Sequence, residues 1–486
     1  MSTLPAAYAR GVFELHHLTA VEQLDWLRRG EVSPRELATH YLARIERLDP
    51  ELGAFAVVDA DAALGRADAV AALPRALALW GLPLADKALV ARAGRVSGFG
   101  SRAFAGYVPE ESDELVAVVD DAGSVSLGST AAPEFGFPSY TEPLAGRPAR
   151  NPYDPRLGAG GSSGGAAVAV AAGLLPVAPG SDGGGSIRIP AAATGLVGLK
   201  PSRGRVPASS GFGGLAGLVQ AGPLARTVAD AGLLLDALAA PAGARPSWAT
   251  LPPDEGGDGP FLAAATRGEG RFQLAVSYDS PWSAAYELSI DPAARAAVDL
   301  ALAELDALGH GLEELRMPEE PGYAPAFRAV WQGGAATLPL GEEQLALVEP
   351  LTRWLVERGR ALDARTLGEA LAWLAGFERR TIARFAPFDA VVTPALALTP
   401  RPVGWYEPED GEENFAQQVR YTPFTSFANV AGLPAITLPV SMTDDGLPMG
   451  VQLVGRPGGE RTLLALGAQL ERRLGWQRRH PPAWAA

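Results

Sequence analysis

The stretch "GAGGSSGGAAVAVAAGLLPVAPGSDGGGSIRIP", residues 158–190, holds two glycine-serine clusters separated by an alanine-rich run. The clusters cover residues 160–165 and 183–186. A helix over 164–173 would run about 15 Å outward, and an extended return over 174–179 would cover roughly 20 Å. Because the two lengths nearly match, we expect Ser186 to lie beside Ser162.

Two common uses of a glycine-rich loop do not fit this stretch. A phosphate-binding P-loop needs Gly-Lys-Ser/Thr after its glycines, and neither cluster has it. The dinucleotide fingerprint fails because Ser163 stands at its third glycine position. A lipase-type elbow formally fits residues 160–164, but it requires a histidine later in the chain, where only His310 and His480 occur. We therefore expect another chemistry.

The second cluster favours an anion-binding loop. Glycine allows the backbone to curl with positive φ and to point several amides at one spot. The consecutive amides that could do so belong to Gly183, Gly184, Gly185 and Ser186. Such a group of donors next to a serine is typical of an oxyanion hole.

Composition excludes several classes of protein and site. The chain has 486 residues, 47% of them hydrophobic, and a formal net charge of −14, which disfavours DNA, RNA and anionic membranes as partners. It has no cysteine, so disulfides, thiolate metal sites and a cysteine nucleophile are excluded. The beginning of the sequence has no uninterrupted apolar segment, and the longest apolar run, 166–178, is too short for a membrane span. We expect a soluble, cytoplasmic protein.

The use of lysine is unusual. Lysine and arginine together number 41, but only Lys87 and Lys200 are lysines. A buried lysine can lose its proton, whereas arginine effectively cannot. Lys87 is therefore a candidate base, while for Lys200, in "GLKP", we expect a structural contact at the surface.

The pattern of elements predicts an α/β fold, with residues 1–486 in a single domain. Short β-type runs alternate with helical segments through the middle of the chain. The predicted parts are, in order, N-terminal helices over 15–50, a core over about 81–206, a Pro- and Gly-rich surface connection over 240–270, a helical cap inserted over about 316–386, and C-terminal core strands with a final helix over 387–486.

Several segments together resemble the amidase signature family of serine hydrolases. They are "GSRAFAGYVPE", "PEFG", "RNPYDP", "GGSSGG", "GSDGGGSIRIPAAATGLVGLKPSRGRVP", "NVAGLPAITLPV" and "GLPMGVQLVG". The resemblance covers nearly the whole chain and is strongest to bacterial members that cleave nylon-oligomer cyclic dimers, aryl amides and urethanes. It implies a central, mixed, twisted β-sheet covered by helices on both faces, and hydrolysis without a metal or cofactor.

The resemblance also implies roles for single residues. Ser186, in "GGGSIR", matches the family's nucleophile. Ser162 matches the serine that follows a cis peptide and shuttles a proton, and Lys87 matches the base. The amides from Gly183 to Ser186 match the oxyanion hole.

Further residues match supporting positions. Asp182 and Arg188 match an acid and a base that hold the nucleophile's loop. Ser163 either supports the site or only begins the helix. Phe135, Gly136, Tyr140 and Trp331 either line a substrate pocket or only pack.

The sequence departs from the family pattern next to the lysine. The family usually has an aspartate after it, where this chain has Ala88. If 82–90 is a strand, Asp86 and Lys87 point to opposite faces, so Asp86 cannot take that role. Ser129 and Ala131 also stand where the family often has lysine and asparagine.

The expected function is hydrolysis of C–N bonds in small neutral or apolar amides, including aryl, cyclic and linear amides and carbamates, with ester cleavage as a side activity. The expected state is a monomer or a homodimer. The alternative is an A-type subunit of a tRNA-dependent amidotransferase, which shares the fold and would need partner subunits.

Overall fold

The computed structural model describes residues 14–206, 214–239 and 260–485. The strands are β1 Phe55–Val58, β2 Pro83–Lys87, β3 Val125–Thr130, β4 Arg150–Asn151, β5 Asp154–Gly158, β6 Val177–Asp182, β7 Val197–Lys200, β8 Gln220–Ala225, β9 Gln273–Val276, β10 Gly311–Glu314, β11 Ala390–Pro394, β12 Ala435–Met442 and β13 Pro448–Gly455.

The helices are α1 Ala20–Arg29, α2 Pro34–Leu52, α3 Ala60–Ala71, α4 Glu114–Asp121, α5 Gly164–Ala171, α6 Arg188–Thr194, α7 Val228–Ala239, α8 Pro260–Arg267, α9 Pro292–Ala307, α10 Tyr323–Ala336, α11 Glu342–Leu347, α12 Pro350–Arg360, α13 Ala364–Phe385, α14 Gly411–Tyr421, α15 Ser426–Val430 and α16 Glu460–Leu474. The predicted connection over 240–270 lies partly outside the described residues, and its described end forms α8 instead of a loop.

A mixed eight-stranded sheet forms the centre of the fold. Its strand order is β10-β9-β11-β13-β12-β7-β8-β6. β9 pairs in parallel with β10 and β11, and the other neighbours pair antiparallel. All residues of β11 and β13 are buried, and because successive side chains point to opposite faces, both faces of the sheet are covered. The predicted α/β class and central mixed sheet are confirmed.

A second, three-stranded sheet carries the candidate base. Its order is β1-β3-β2, with β2 parallel to β3, and Lys87 at the end of β2 lies opposite Thr130. β2 contacts β6, the edge strand of the central sheet, without joining that sheet. Lys87 is thereby brought against the strand that leads into the second glycine-serine cluster.

The N-terminal helices begin where their capping signals predict. Thr19 and Ser33 each accept a hydrogen bond from the backbone N–H of the glutamate three residues later, and each glutamate bonds back to the cap. Leu37, Tyr41 and Ile45 form the buried face of α2. This face belongs to the main apolar core.

The segment predicted as a helical cap contains α10 to α13. A second apolar core lies here, with Tyr323, Phe327 and Phe377 among its members. Since α10 also carries residues that line the candidate site, this segment shapes the site as well as covering it. In the described part of the chain, no helix combines the length and apolarity needed to cross a membrane. The division into parts of one domain stays a prediction.

Candidate active site

The two glycine-serine clusters lie side by side. Ser162 and Ser163 precede the fully buried helix α5, and the chain returns along β6 to the second cluster. The backbone N–H of Ser163 donates to the carbonyl of Ser186 over 3.1 Å. The structure thus places Ser186 next to Ser162, as the matching lengths of the two segments predict.

Lys87 reaches this junction from β2 and is 2% exposed. Its Nζ donates to the hydroxyl of Ser162 over 2.8 Å and to the hydroxyl of Ser181 over 3.0 Å. Burial lowers the pKa of Lys87 from 10.5 to about 7, against the opposing effect of the Asp182 carboxylate. A substantial fraction of this amine is therefore neutral near pH 7.

Asp86 points away from the site, as the strand period predicts. Its carboxylate accepts hydrogen bonds from Arg92 on the other face of β2, at 2.6 and 3.2 Å. Burial raises the pKa of Asp86, while Arg92 acts against that shift. Asp86 therefore does not replace the carboxylate missing at Ala88, and the carboxylate that does affect the charge of Lys87 is that of Asp182.

Asp182 and Arg188 form a fully buried ion pair next to the second glycine-serine cluster, with both side chains 0% exposed. The guanidinium donates twice to Asp182 at 2.9 Å, and its remaining N–H groups donate to the Thr425 carbonyl, the Gln452 amide oxygen and the Asn429 amide oxygen. Burial would raise the pKa of Asp182, but Arg188 and the surrounding donors hold it below its usual value. The pair is thus charged and fully hydrogen-bonded.

Asp182 also fixes the backbone of the loop. One carboxylate oxygen accepts from the Gly185 amide at 2.7 Å, and the other accepts from the Ile187 amide at 3.1 Å. The Gly185 amide is therefore engaged, which corrects the prediction that it belongs to the oxyanion hole. Among described residues, no hydrogen bond occupies the amides of Gly183, Gly184 and Ser186, so these three remain as candidate donors.

Gly185 cannot be replaced without moving its surroundings. Its φ is +137°, and a Cβ there would lie 2.4 Å from the Thr425 hydroxyl oxygen and 2.7 Å from Ile189. The Thr425 hydroxyl donates to the Gly184 carbonyl over 2.6 Å. This bond fixes the orientation of the peptide between Gly184 and Gly185.

Two cavities meet at Ser186, which is 7% exposed. The first, about 780 Å³ with its open mouth, is lined by Leu89, Phe135, Gly136, Phe137, Ser162, Ser181, Gly183, Ser186, Gly214, Leu215, Leu218, Val219, Val330, Trp331, Gly334 and Leu338. The second, about 490 Å³, is lined by Phe137, Ser139, Gly184, Ser186, Ile189, Trp282, Phe327, Trp331, Phe415, Gln418, Val419, Thr422 and Ser426. Among the described residues, none of the side chains that line either cavity is ionisable at neutral pH.

The residues expected at the pocket divide into two groups. Phe135, Gly136 and Trp331 line the first cavity. Tyr140 does not line either cavity. Its ring stacks on Tyr406 with centroids 4.0 Å apart, and its hydroxyl accepts a hydrogen bond from Asn414. Tyr140 therefore packs against Tyr406 and does not contact the substrate pocket, as had been one of the two expectations.

The structure also gives the contacts of a serine, a lysine and two histidines for which the sequence analysis made predictions. The Ser163 hydroxyl contacts the backbone of Ser181 and makes no cap bond to α5, so it braces β6. Lys200 is 0% exposed, which corrects the expected surface contact, and its Nζ donates to the Pro201 carbonyl. His310 bonds to Gln469, and His480 stacks on Trp484, so neither histidine supplies the base that a lipase-type elbow needs.

Sequence reasoning missed the residues that hold the loop from a distance. No motif around Thr425 or Gln452 indicates that these residues contact Arg188. Asn429 lies in the "NVAG" segment and donates to the backbone and carboxylate of Asp182 over 2.8 and 2.9 Å. That segment carried the family resemblance, and this contact gives it a physical reason.

Comparison with known proteins agrees with this geometry. The family described as Amidase matches residues 36–464. The Mycobacterium tuberculosis protein named "Putative amidase AmiB2" is 39% identical, over 95% of this chain and 97% of its own length. The structure of 6-aminohexanoate cyclic dimer hydrolase superposes with a TM-score of 0.86 at 28% identity, over 97% of this chain and all of the other.

A bacterial aryl acylamidase, an amidase signature enzyme, superposes with a TM-score of 0.82 at 26% identity, over 95% of this chain and 97% of the other. The sequence match and the structural matches thus each cover at least 95% of this chain. The chain belongs to the amidase signature family of amide hydrolases.

Proposed function

We propose that this amidase cleaves small neutral or apolar amides through an acyl-enzyme, with Ser186 as nucleophile, Ser162 as proton relay and Lys87 as base. The observation that carries the proposal is the 2.8 Å hydrogen bond between the buried side chains of Lys87 and Ser162. A neutral amine there can accept the proton that Ser162 passes on from Ser186.

The proposed reaction has two stages, acylation of Ser186 and hydrolysis of the acyl-enzyme. The Ser186 oxygen attacks the amide carbon while its proton moves to Ser162 and from Ser162 to Lys87. The C–N bond then breaks, and the departing nitrogen takes the proton back along the same relay. Water attacks the ester of Ser186 by the same path, which releases a carboxylic acid and restores the serine. No step requires a metal or a cofactor.

The relay needs one more contact than the structure contains. Among the described residues, no hydrogen bond joins the hydroxyls of Ser162 and Ser186. Catalytic hydrogen bonds often tighten only when substrate is bound. We therefore expect the Ser186 hydroxyl to turn towards Ser162 as the substrate carbonyl enters the loop.

The negative oxygen formed by the attack needs donors at a fixed place. The amides of Gly183, Gly184 and Ser186 are the candidates, because Asp182 holds the Gly185 amide. Such preorganised donors are typically worth about 10²–10³ in kcat each. The rigid ion pair beneath the loop supports this role.

The cavities support the proposed substrate class. The described residues that line the two cavities are aromatic, aliphatic or neutral polar, which suits a substrate that is uncharged on both sides of the scissile bond. Aryl, cyclic and linear amides fit this description, and so do carbamates. An ester has a better leaving group and should be cleaved by the same acyl-enzyme route.

The first test is covalent labelling with a fluorophosphonate probe. Wild-type protein should be labelled, and Ser186→Ala should lose both labelling and at least about 10³-fold in kcat. Labelling that persists in Ser186→Ala but disappears in Ser162→Ala would overturn the assignment in favour of a lipase-type elbow.

The second test is a substrate screen on the purified protein. We expect turnover of neutral p-nitroanilides, aryl carbamates or nylon oligomers, and weaker turnover of matched substrates that carry a carboxylate near the scissile bond. Preference for the charged compounds would contradict the proposed substrate class.

A further inference from the structure

Four of the chain's five histidines lie in one cluster far along the sequence from the catalytic serines. His16 contacts His17 and His40, with ring centroids 4.5 and 5.3 Å apart. His17 and His480 stack on Trp484. The cluster brings together residues 16–17, helix α2 and residues 480–484.

Three potential ligand atoms converge within this cluster. His16 Nδ1 lies 3.2 Å from His40 Nε2 and 3.1 Å from the Glu14 carboxylate oxygen Oε2. All three atoms lie within 4.8 Å of one another. In a tetrahedral zinc site, bonds of about 2.0–2.1 Å place neighbouring ligand atoms roughly 3.3 Å apart. Two of the three separations here are already close to that value.

The candidate ligands differ in how freely they can move. His16 is 1% exposed, and its ring packs against the rings of His17, His40 and Trp484. Glu14 is exposed and needs no rearrangement of the core to turn towards a cation.

Charged groups nearby set the strength of any binding. The Arg44 guanidinium lies 3.5 Å from Glu14 Oε2, and it is fixed by the carbonyls of Gly173, Ala172 and Trp484. Arg47 and Arg226 add positive charge around the histidines. These cations oppose a divalent ion, so we expect micromolar affinity instead of the tight binding of an all-neutral site.

We propose that Glu14, His16 and His40 form a zinc site that fastens residues 14–17 to α2. Two histidines and one carboxylate suit Zn²⁺, with water completing the coordination. Mg²⁺ prefers oxygen ligands and should not bind here. The site is structural, and amide hydrolysis does not depend on it.

The test is titration of the full-length, EDTA-treated protein with ZnCl₂ by calorimetry, with MgCl₂ as a parallel titration. We expect binding of one zinc ion, no magnesium binding, and a rise of about 2–3 °C in Tm at a zinc concentration near 100 times Kd. Glu14→Gln and His40→Gln should each weaken zinc binding at least tenfold, without changing kcat on a chromogenic amide.

His480→Gln is the matched control, because this exposed histidine belongs to the cluster but not to the ligand set, and it should bind zinc like wild type. Glu14→Gln changes an exposed side chain, so misfolding cannot explain its loss of binding. No zinc binding, or binding that Glu14→Gln and His40→Gln leave unchanged, would overturn the proposal. The short distance between the two rings would then be only a hydrogen bond.

Discussion

The chemistry proposed for this amidase depends on one amine that must be neutral when the substrate arrives. Lys87 meets that requirement because it is buried, and Asp182, the carboxylate that raises its pKa, is already paired with Arg188. At the scale of single residues, the proposed chemistry therefore depends on the burial of Lys87.

This reasoning predicts the pH dependence of the reaction. The pKa of Lys87 is lowered to about 7, so its neutral fraction increases as the pH rises through that value. We expect kcat/KM to rise with pH around 7 and then to level off. Lys87→Arg should lose about 10²–10⁴-fold, nearly as much as Lys87→Ala, because arginine keeps its proton. An active Lys87→Arg with an unchanged pH profile would contradict the relay.

Lys200→Arg provides a comparison with a different expected outcome. Lys200 is fully buried, so the larger guanidinium should lower the Tm by overpacking. Because Lys200 does not reach the serines, kcat of the folded fraction and its pH profile should be those of wild type. Loss of kcat without loss of stability would assign Lys200 a part in catalysis.

The second prediction at this scale concerns two neighbouring glycines. Gly185→Ala places a methyl group against Thr425 in a backbone conformation that alanine rarely adopts, and we expect a loss of roughly 100-fold or more in kcat/KM. At Gly184, the one described residue that a Cβ would meet within 4 Å is Phe327, at 3.8 Å. Gly184→Ala should therefore keep the loop, and equal damage by both substitutions in kinetics and Tm would contradict this account.

At the scale of elements, the buried ion pair connects segments that are distant in sequence. Arg188, at the start of α6, is bonded to the end of β6, to the turn before α15, to α15 itself and to β13. Removing one partner of such a pair leaves the other charge buried without compensation. The pair therefore matters for folding as well as for the loop.

Asp182→Asn should lower the free energy of unfolding by about 3–5 kcal/mol at pH 7. The pKa of Asp182 is lower in the folded protein than its usual 3.8, so its contribution is complete above that value and is lost as the pH falls below it. The difference between wild type and Asp182→Asn in urea denaturation should therefore shrink below about pH 4. A difference that stays constant to pH 3 would show that charge is not the cause.

Local patterns predicted much of this structure. Capping boxes fixed the starts of α1 and α2, alternation of strand and helix indicated the α/β class, and segment lengths brought Ser186 to Ser162. The position of Tyr140 and the burial of Lys200 could not be predicted, because each depends on packing partners from other parts of the chain. For the same reason, the engaged amide of Gly185 required knowledge of where the Asp182 carboxylate points.

At the scale of the whole molecule, the proposed function and its alternative differ in what they require. An amidase can act alone, whereas an amidotransferase subunit needs partner subunits and tRNA. The cavities, the loop and the residues of the proposed relay all belong to this chain. We therefore expect the purified chain to hydrolyse a neutral amide at full rate with no other protein and no tRNA present. Gel filtration with an activity assay on each fraction checks this. Activity that appears only after partner subunits or tRNA are added would favour the alternative.

The order of strands has a consequence for the timing of synthesis. β12 and β13 come late in the chain, but they lie between β11 and β7 in the middle of the sheet. The last partner of Arg188, Gln452, is thus translated long after the serines. The loop that holds Ser186 can therefore reach its final conformation only when translation is nearly complete. We expect C-terminally truncated products to be inactive. Conversely, two separately expressed pieces, divided at the exposed residues 408–410 before α14, should regain hydrolysis only when they associate.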